Sequence, residues 1–320
     1  MQELRHIPVA LDRCIELLSP AIETAISTRG TATVIDATLG LGGHTRALLE
    51  KFADLKVIGF DRDLSAIAIA RENVAPYQDR LTIIHAVYDQ IDTALEDHSI
   101  DFIDGALFDL GVSSMQLDEA DRGFAYSQEA PLDMRMDQSQ GLTAEDVLYT
   151  YDRSSLIRIL RAYGDEKFAP RIVDNILAAR VANTLRTTKQ LAELVKESIP
   201  APARRTGGNP AKRTFQALRI EVNHELEVLE RAIPAAMKAL TVHGRIVVMS
   251  YQSLEDKIVK GFFTEACTST TPRNLPVELP NSAAKFAYVI TGSESANDSE
   301  IERNPRAQSM RMRAIKRVAA

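Results

Sequence analysis

Through the first third of the chain, short β-branched runs alternate with helix-period segments, and few architectures accept that order. Strand-like runs fall at 33–36, 56–61, 81–85 and 105–110, and helical segments at 44–52, 64–73 and 91–96 lie between them. Strands separated by helices cannot pair as hairpins, so the pattern predicts a parallel sheet of α/β class, with crossover helices on its faces. Open sheets of this kind bind ligands beyond the carboxyl ends of their strands.

The first strand end carries the most specific wording, Thr33-Val34-Ile35-Asp36-Ala37-Thr38-Leu39-Gly40-Leu41-Gly42-Gly43-His44-Thr45. A glycine turn between a strand and a helix brings bare backbone and the positive helix end towards a ligand. The second strand ends in Asp61, roughly 20 residues on, where such folds hold a ribose. A dinucleotide fingerprint requires glycine at the first, third and sixth loop positions; Gly40 and Gly42 comply, but the sixth is Thr45. Asp36, just ahead of the turn, would repel a pyrophosphate and attract a cation. S-adenosylmethionine, with an ammonium, a sulfonium, a ribose and no phosphate, fits two acids better than NAD does.

Composition narrows the class. The 320 residues are 45% hydrophobic and 26% charged, as in globular proteins. No apolar run approaches the roughly 18 residues of a membrane span, and the start is polar, so a soluble cytoplasmic protein is expected. Cys14 and Cys267 suggest neither a disulfide framework nor a metal site. The net charge of −6 argues against indiscriminate coating of nucleic acid. Basic residues nevertheless gather in two acid-free stretches: Arg204, Arg205, Lys212, Arg213 and Arg219 in 198–219, and Arg303, Arg306, Arg311, Arg313, Lys316 and Arg317 in 303–317. Both suggest phosphate-backbone contact.

After the fourth strand the pattern turns helical, at 143–149, 153–163, 169–183 and 188–198, and a loop rich in proline, glycine and arginine, 200–210, closes it. Amphipathic helical patterns fill 211–240 and 254–267, with Leu218, Val222 and Leu226 on one core stripe. Strand character returns at 244–251, 286–291 and 309–317; Pro272, Pro276 and Pro280 mark a loop. The expected organisation is a discontinuous sheet domain, 1–112 and 211–320, interrupted by an all-helical domain, 113–210, that overhangs the ligand edge.

The fourth strand ends Leu107-Phe108-Asp109-Leu110-Gly111-Val112-Ser113-Ser114, a third carboxylate at a strand end, where burial demands a cation or several donors. Gln116, Asp121-Arg122-Gly123-Phe124-Ala125-Tyr126 and Pro131-Leu132-Asp133-Met134-Arg135-Met136-Asp137 follow. The last run fits neither period and sets charge beside apolar side chains in a loop, a common habitat of functional residues.

Together with His6-Ile7-Pro8-Val9, Asp61-Arg62-Asp63, Asn209-Pro210-Ala211-Lys212-Arg213-Thr214-Phe215-Gln216-Ala217-Leu218-Arg219-Ile220, Ser253-Leu254-Glu255-Asp256-Lys257-Ile258-Val259-Lys260 and Asn304-Pro305-Arg306-Ala307, these segments resemble the bacterial 16S ribosomal RNA cytosine-N4 methyltransferases. The motifs run in order over nearly the whole chain. The resemblance implies a Rossmann-like class I S-adenosylmethionine-dependent methyltransferase sheet with an inserted helical domain. It implies methyl transfer to the exocyclic amine of a cytosine in the ribosomal decoding region, with 16S RNA of the small subunit as partner and no metal. Carried over by position, the cofactor contacts are Gly42, Gly43, His44, Asp61, Tyr88, Asp109 and Gln116. One departure stands out: the resemblance leads to Ser-Phe-His-Ser before Leu254, but this chain reads Ser250-Tyr251-Gln252-Ser253. Gln252 cannot act as a base near neutral pH, which assigns that position to structure or RNA contact.

The lone pair of a cytosine amine is delocalised, so an enzyme must align it with the methyl group and accept its hydrogen bonds as charge develops. Asp133 is the candidate carboxylate and Arg135 its candidate partner, or a partner for phosphate; Phe124 or Tyr126 would clamp the base. The basic residues Arg204, Arg205, Lys212, Arg213 and Arg219 would grip RNA. A methyltransferase for a protein or small molecule, and a noncatalytic nucleotide sensor, are the alternatives.

Overall fold

The structure, a computed structural model, describes residues 8–205, 209–272 and 282–320, apart from the side chains of Ser114 and Arg205. His6, Ile7, residues 206–208 of the basic loop, and Pro276 and Pro280 lie outside the described residues. The chain forms two compact units, residues 1–111 with 226–320, and residues 112–225.

The first unit is built on seven strands: β1 (Ala32–Asp36), β2 (Leu55–Asp61), β3 (Leu81–His85), β4 (Ile103–Asp109), β5 (Leu240–Ser250), β6 (Phe286–Tyr288) and β7 (Arg311–Arg317). Their order is β3-β2-β1-β4-β5-β7-β6. β1 to β5 pair in parallel, and β7 pairs antiparallel with both β5 and β6. That is the Rossmann-like sheet implied by the resemblance, with its direction of winding reversed between β1 and β4, where ligands bind.

Adjacent strand residues face opposite sides, and both sides are apolar. Ile35, Ile58, Phe108, Val248 and Ile315 join one core, and their neighbours Val34, Val57, Leu107, Val247 and Ala314 join the other. The first core is covered by α4 (Ile91–Asp97), α11 (Glu225–Ala239) and α12 (Ser253–Ala266), which contribute Leu95, Ile233 and Phe263. The second is covered by α1 (Leu11–Arg29) and α2 (Gly43–Lys51), through Leu18, Ile22 and Leu48. α3 (Leu64–Asn73) follows β2, with the Asp63 side chain accepting from the Ser65 amide as its cap.

The second unit holds α5 (Ser114–Asp118), α6 (Ala144–Thr150), α7 (Arg153–Gly164), α8 (Ala169–Ala182), α9 (Thr188–Ser198) and α10 (Lys212–Asn223). One core unites Leu156 and Ile159 of α7, Ile172 and Ile176 of α8, Leu191 and Val195 of α9, and Phe215, Leu218 and Val222 of α10. The second division of the chain therefore falls at 225 rather than at the loop ending near 210. The loop is a plausible boundary by composition, but α10 buries its apolar face among the helices. The pattern at 211–240 is correspondingly two helices, broken where His224 adopts a left-handed backbone, φ 51°. Leu226 lies beyond that break and leaves the stripe of Leu218 and Val222.

Candidate functional site

Strand register fixes the acids before any side chain is considered. Asp36 is level with Gly59 on β2 and with Leu107 on β4, so Asp61 and Asp109 each stand two residues further out, on either side of β1. Two strand spacings separate them by about 10 Å, a slot of nucleoside width at the point where the winding reverses.

The three acids differ in what they hold. Asp36 is 1% exposed; its Oδ2 accepts the Thr45 hydroxyl at 2.6 Å and its Oδ1 the Thr38 amide at 3.3 Å. It thus ties the start of α2 to β1 and is turned inward, away from the ligand-facing part anticipated for it. Burial pushes its carboxyl up, against the opposing pull of His44, Thr45 and Thr38. Asp61 remains partly exposed at the edge, with Oδ2 accepting from the Gly40 amide and Oδ1 from the Asp63 amide, both at 2.8 Å. Burial nevertheless pushes it up to about 6, because two backbone donors only partly replace the lost water. Asp109 accepts the Tyr251 hydroxyl on Oδ1 at 2.6 Å, and its own amide donates to Thr38 Oγ1 at 2.7 Å. It too is pushed up, by burial and by Asp36, with His44 and Tyr251 working against the rise.

The glycines are needed for the protein's own packing. Gly42 has φ 79°, and a Cβ there would lie 2.8 Å from Val74 Cγ2; at Gly43 it would lie 2.4 Å from Pro8 Cγ. At Gly40, φ 53°, a Cβ would meet only the Thr38 carbonyl oxygen, at an unstrained 3.9 Å, and the Gly40 amide holds Asp61. The His44 ring is buried, and its Nε2 lies 3.1 Å from the Val9 carbonyl oxygen. Tyr88, just beyond β3, sets its ring edge-on to Phe108 of β4, with centroids 5.8 Å apart.

The edge fits the cofactor that the fold implies. Each Asp61 oxygen has one backbone donor and keeps acceptor capacity, and the raised carboxyl shows that its donors are too few; a ribose diol supplies two more. The Asp109 and Asp36 pair makes the other end electronegative, as an ammonium or sulfonium requires. Among the described residues there is no group of three or more His, Cys, Asp or Glu placed to hold a metal ion. Likewise, no described helix is long and apolar enough to cross a membrane.

The remaining candidates lie in the helical unit. Gln116 is buried as the third residue of a capping box: its Oε1 accepts the Ser113 amide, and its amide donates to Ser113 Oγ. Asp133 receives Arg135 bidentately, both contacts 2.9 Å, and the Arg135 amide as well. Burial alone would raise the Asp133 carboxyl, but these donors outweigh it and hold it below its usual range. The loop carrying them is interlocked. Arg122 donates to the carbonyls of Arg135 and Met136, the Met134 amide donates to the Arg122 carbonyl, and Met134 has φ 61°. A Cβ on Gly123 would fall 2.4 Å from the Pro131 carbonyl oxygen. Asn223, the last residue of α10, accepts the Met136 amide and donates to the Met134 carbonyl, both at 2.8 Å. No sequence signal marked Asn223, which lies 87 residues from its first partner. Phe124 is buried in the helical core and Tyr126 packs edge-on against Phe215 at 5.8 Å, which removes Phe124 as a base clamp.

The basic candidates are unequal. Arg219 is paired bidentately with Glu225, both contacts 2.8 Å; Arg204 donates to the Ile199 and Glu197 carbonyls, and Arg213 to the Asp165 carbonyl. Lys212 is exposed, and the Arg205 side chain lies outside the described residues. In the later stretch Arg313 binds Asp256 bidentately and Arg317 donates to the Leu240 carbonyl. Gln252 has a structural part, its Nε2 donating to Glu255 Oε1 at 3.0 Å at the start of α12.

A sheet of this order, with acids at the reversal of winding, defines a class I methyltransferase fold. The chain belongs to the MraW methylase family, whose model matches residues 3–318. Among similar proteins, the ribosomal RNA small subunit methyltransferase H of Renibacterium salmoninarum is 53% identical over 314 residues, 98% of this chain and 95% of that relative. Relatives of the same name from Mycolicibacterium smegmatis and Streptomyces avermitilis are 55% and 51% identical, over 98% and 99% of this chain and 84% and 98% of their own.

Proposed function

We propose that this methyltransferase moves the methyl group of S-adenosylmethionine to the exocyclic N4 amine of a cytidine in the decoding region of 16S ribosomal RNA, in the cytoplasm. The observation that carries the cofactor is the pair of undersupplied carboxylates, Asp61 and Asp109, flanking β1. The RNA substrate is supported by the similarity, over nearly full length, to relatives named for the small ribosomal subunit.

When bound, the cofactor supplies an activated methyl on a sulfonium. Asp61 accepts the ribose hydroxyls, Asp109 faces positive charge, and Tyr88 offers a ring to the adenine. Gly42, Gly43 and His44 hold the loop that presents the Gly40 amide, and Gln116 fixes the segment after β4. A carboxylate held low in pKa is a poor base and a good acceptor, so Asp133, oriented by Arg135, receives hydrogen bonds from the amine rather than its proton. The target base must be unstacked to be reached, and Lys212 with Arg213 and Arg205 contacts its backbone.

The test supplies labelled methyl donor with small subunits lacking the modification, and digests the RNA to nucleosides. N4-methylcytidine at a single decoding-region position is expected. Label in protein, in a small molecule or on another base would overturn the substrate assignment.

A further inference from the structure

Tyr251 lies in none of the segments that suggested a cofactor contact, yet its hydroxyl makes a short bond to an acid at the ligand edge, 2.6 Å to Asp109 Oδ1. The side chain is held from several directions. β5 ends at Ser250, opposite Arg311 of β7, and the Tyr251 amide donates to Glu255 Oε2 at 2.9 Å in the first turn of α12. Its ring lies beside Gly111, whose Cβ would sit 3.6 Å from Tyr251 Cδ2. Among the described residues Asp109 Oδ2 accepts no hydrogen bond, so the phenol fixes one oxygen and leaves the other for a ligand.

We propose that Tyr251 is a positioning residue for cofactor binding, acting through Asp109: its hydroxyl keeps that carboxylate ionised and turned so that Oδ2 meets the cationic end of S-adenosylmethionine. The charged and titratable groups around Asp109 make the need plain. Asp36 of β1 repels its charge, and His44 of α2 attracts it. The Cys14 thiol of α1 is itself held neutral by burial and by these acids, and offers no counter-charge. Tyr251 is half-buried, and its phenol is pushed well above its usual range, by desolvation first and by Asp109 next, so it stays a donor throughout the working pH range. A permanently protonated phenol against a carboxylate next to a second acid favours the ionised form that burial opposes.

The inference rests on the cofactor reading above, and the test separates the two. Binding of S-adenosylmethionine to the full chain is measured by calorimetry from pH 5 to 7.5 for the unaltered protein, Tyr251→Phe, Asp109→Asn and the double variant. Affinity falls at the acid end in the unaltered protein. In Tyr251→Phe that fall moves to higher pH by about one unit, the size of one charge-assisted hydrogen bond. In Asp109→Asn the Asp109 part of the fall is lost, and adding Tyr251→Phe changes the affinity less than twofold. Binding by the unaltered protein with a superimposable profile for Tyr251→Phe would overturn the role of Tyr251 alone. Absence of binding by the unaltered protein would overturn the cofactor reading itself. Should Tyr251→Phe fail to fold, the fall in Asp109→Asn decides: an unchanged profile removes Asp109, and Tyr251 with it, from the site.

Discussion

Asp61 answers to two demands. Its carboxylate organises the first loop through the Gly40 and Asp63 amides, and it must also remain hungry for donors if a ribose is to bind there. The value near 6 expresses the second demand, and gives a pH dependence with a definite sign. Ribose hydroxyls donate, so they favour the carboxylate over the acid. Above about pH 7 the group is already ionised and affinity is flat; below about 6 a proton must be expelled on binding, and affinity falls by up to tenfold per unit. Calorimetry across that range, in the Asp109→Asn background to remove the second acid, reads this directly; an affinity that rises on acidification would contradict it. Asp61→Ala deletes the acceptor and should weaken S-adenosylmethionine by about 2–4 kcal/mol, the scale of charged hydrogen bonds lost together. An unchanged dissociation constant would remove Asp61 from the site. Asp61 was legible because a strand-end acid at that spacing has a chemical use. Asp36 had the same appearance, but Thr45, a residue on the following helix, claims it.

At the level of elements, the glycine loop shows how one sequence pattern can carry two causes. Gly42 and Gly43 suggested close approach of a ligand, whereas Val74 and Pro8 are the atoms that approach. Gly42→Ala combines a left-handed backbone with a Cβ 2.8 Å from Val74 Cγ2, and should cost about 2–4 kcal/mol in denaturant unfolding. Gly30→Ala supplies the control: φ is 77° but nothing lies within 4 Å, so only the backbone cost of about 1 kcal/mol remains. Equal losses in the two variants would show that packing against Val74 is irrelevant. The strands of the first half were legible because both sheet faces are covered, which forces unbroken apolar runs. α1 was not, because Pro20 sits inside it, and proline ordinarily ends a helix. Pro20 is exposed, with Leu18 and Ile22 buried on the opposite face, so the apolar stripe holds the helix across it. The break at His224 escaped notice for the converse reason: apolar spacing continues through it, and only the backbone reverses.

On the scale of the whole molecule, the order of motifs announced the sheet and its helical insertion, but the partners of charged residues could not be read from their clustering. Interlocking of the 131–137 loop by Arg122 and Asn223 depends on residues distant in the chain, and local periodicity is blind to such bonds. The same holds for the basic stretches, and this yields a test of how an acidic protein binds RNA. With a net charge of −6, attraction to RNA must come from local cations, each neutralised phosphate contributing about −0.7 to the salt slope for a single strand. A cation already paired contributes nothing to that slope. Lys212 is exposed and makes no ion pair among the described residues, so Lys212→Ala should weaken binding to small-subunit RNA and flatten the slope by about 0.7. Arg219 stands seven residues on in the same acid-free stretch, but it is bound to the buried Glu225. Arg219→Ala should leave the salt slope unaltered and instead lower folding stability by about 3 kcal/mol, because it strands a carboxylate out of water. Filter-binding titrations at several salt concentrations, set beside thermal melts, distinguish the two; a flattened slope for Arg219→Ala without loss of stability would return that arginine to the RNA surface.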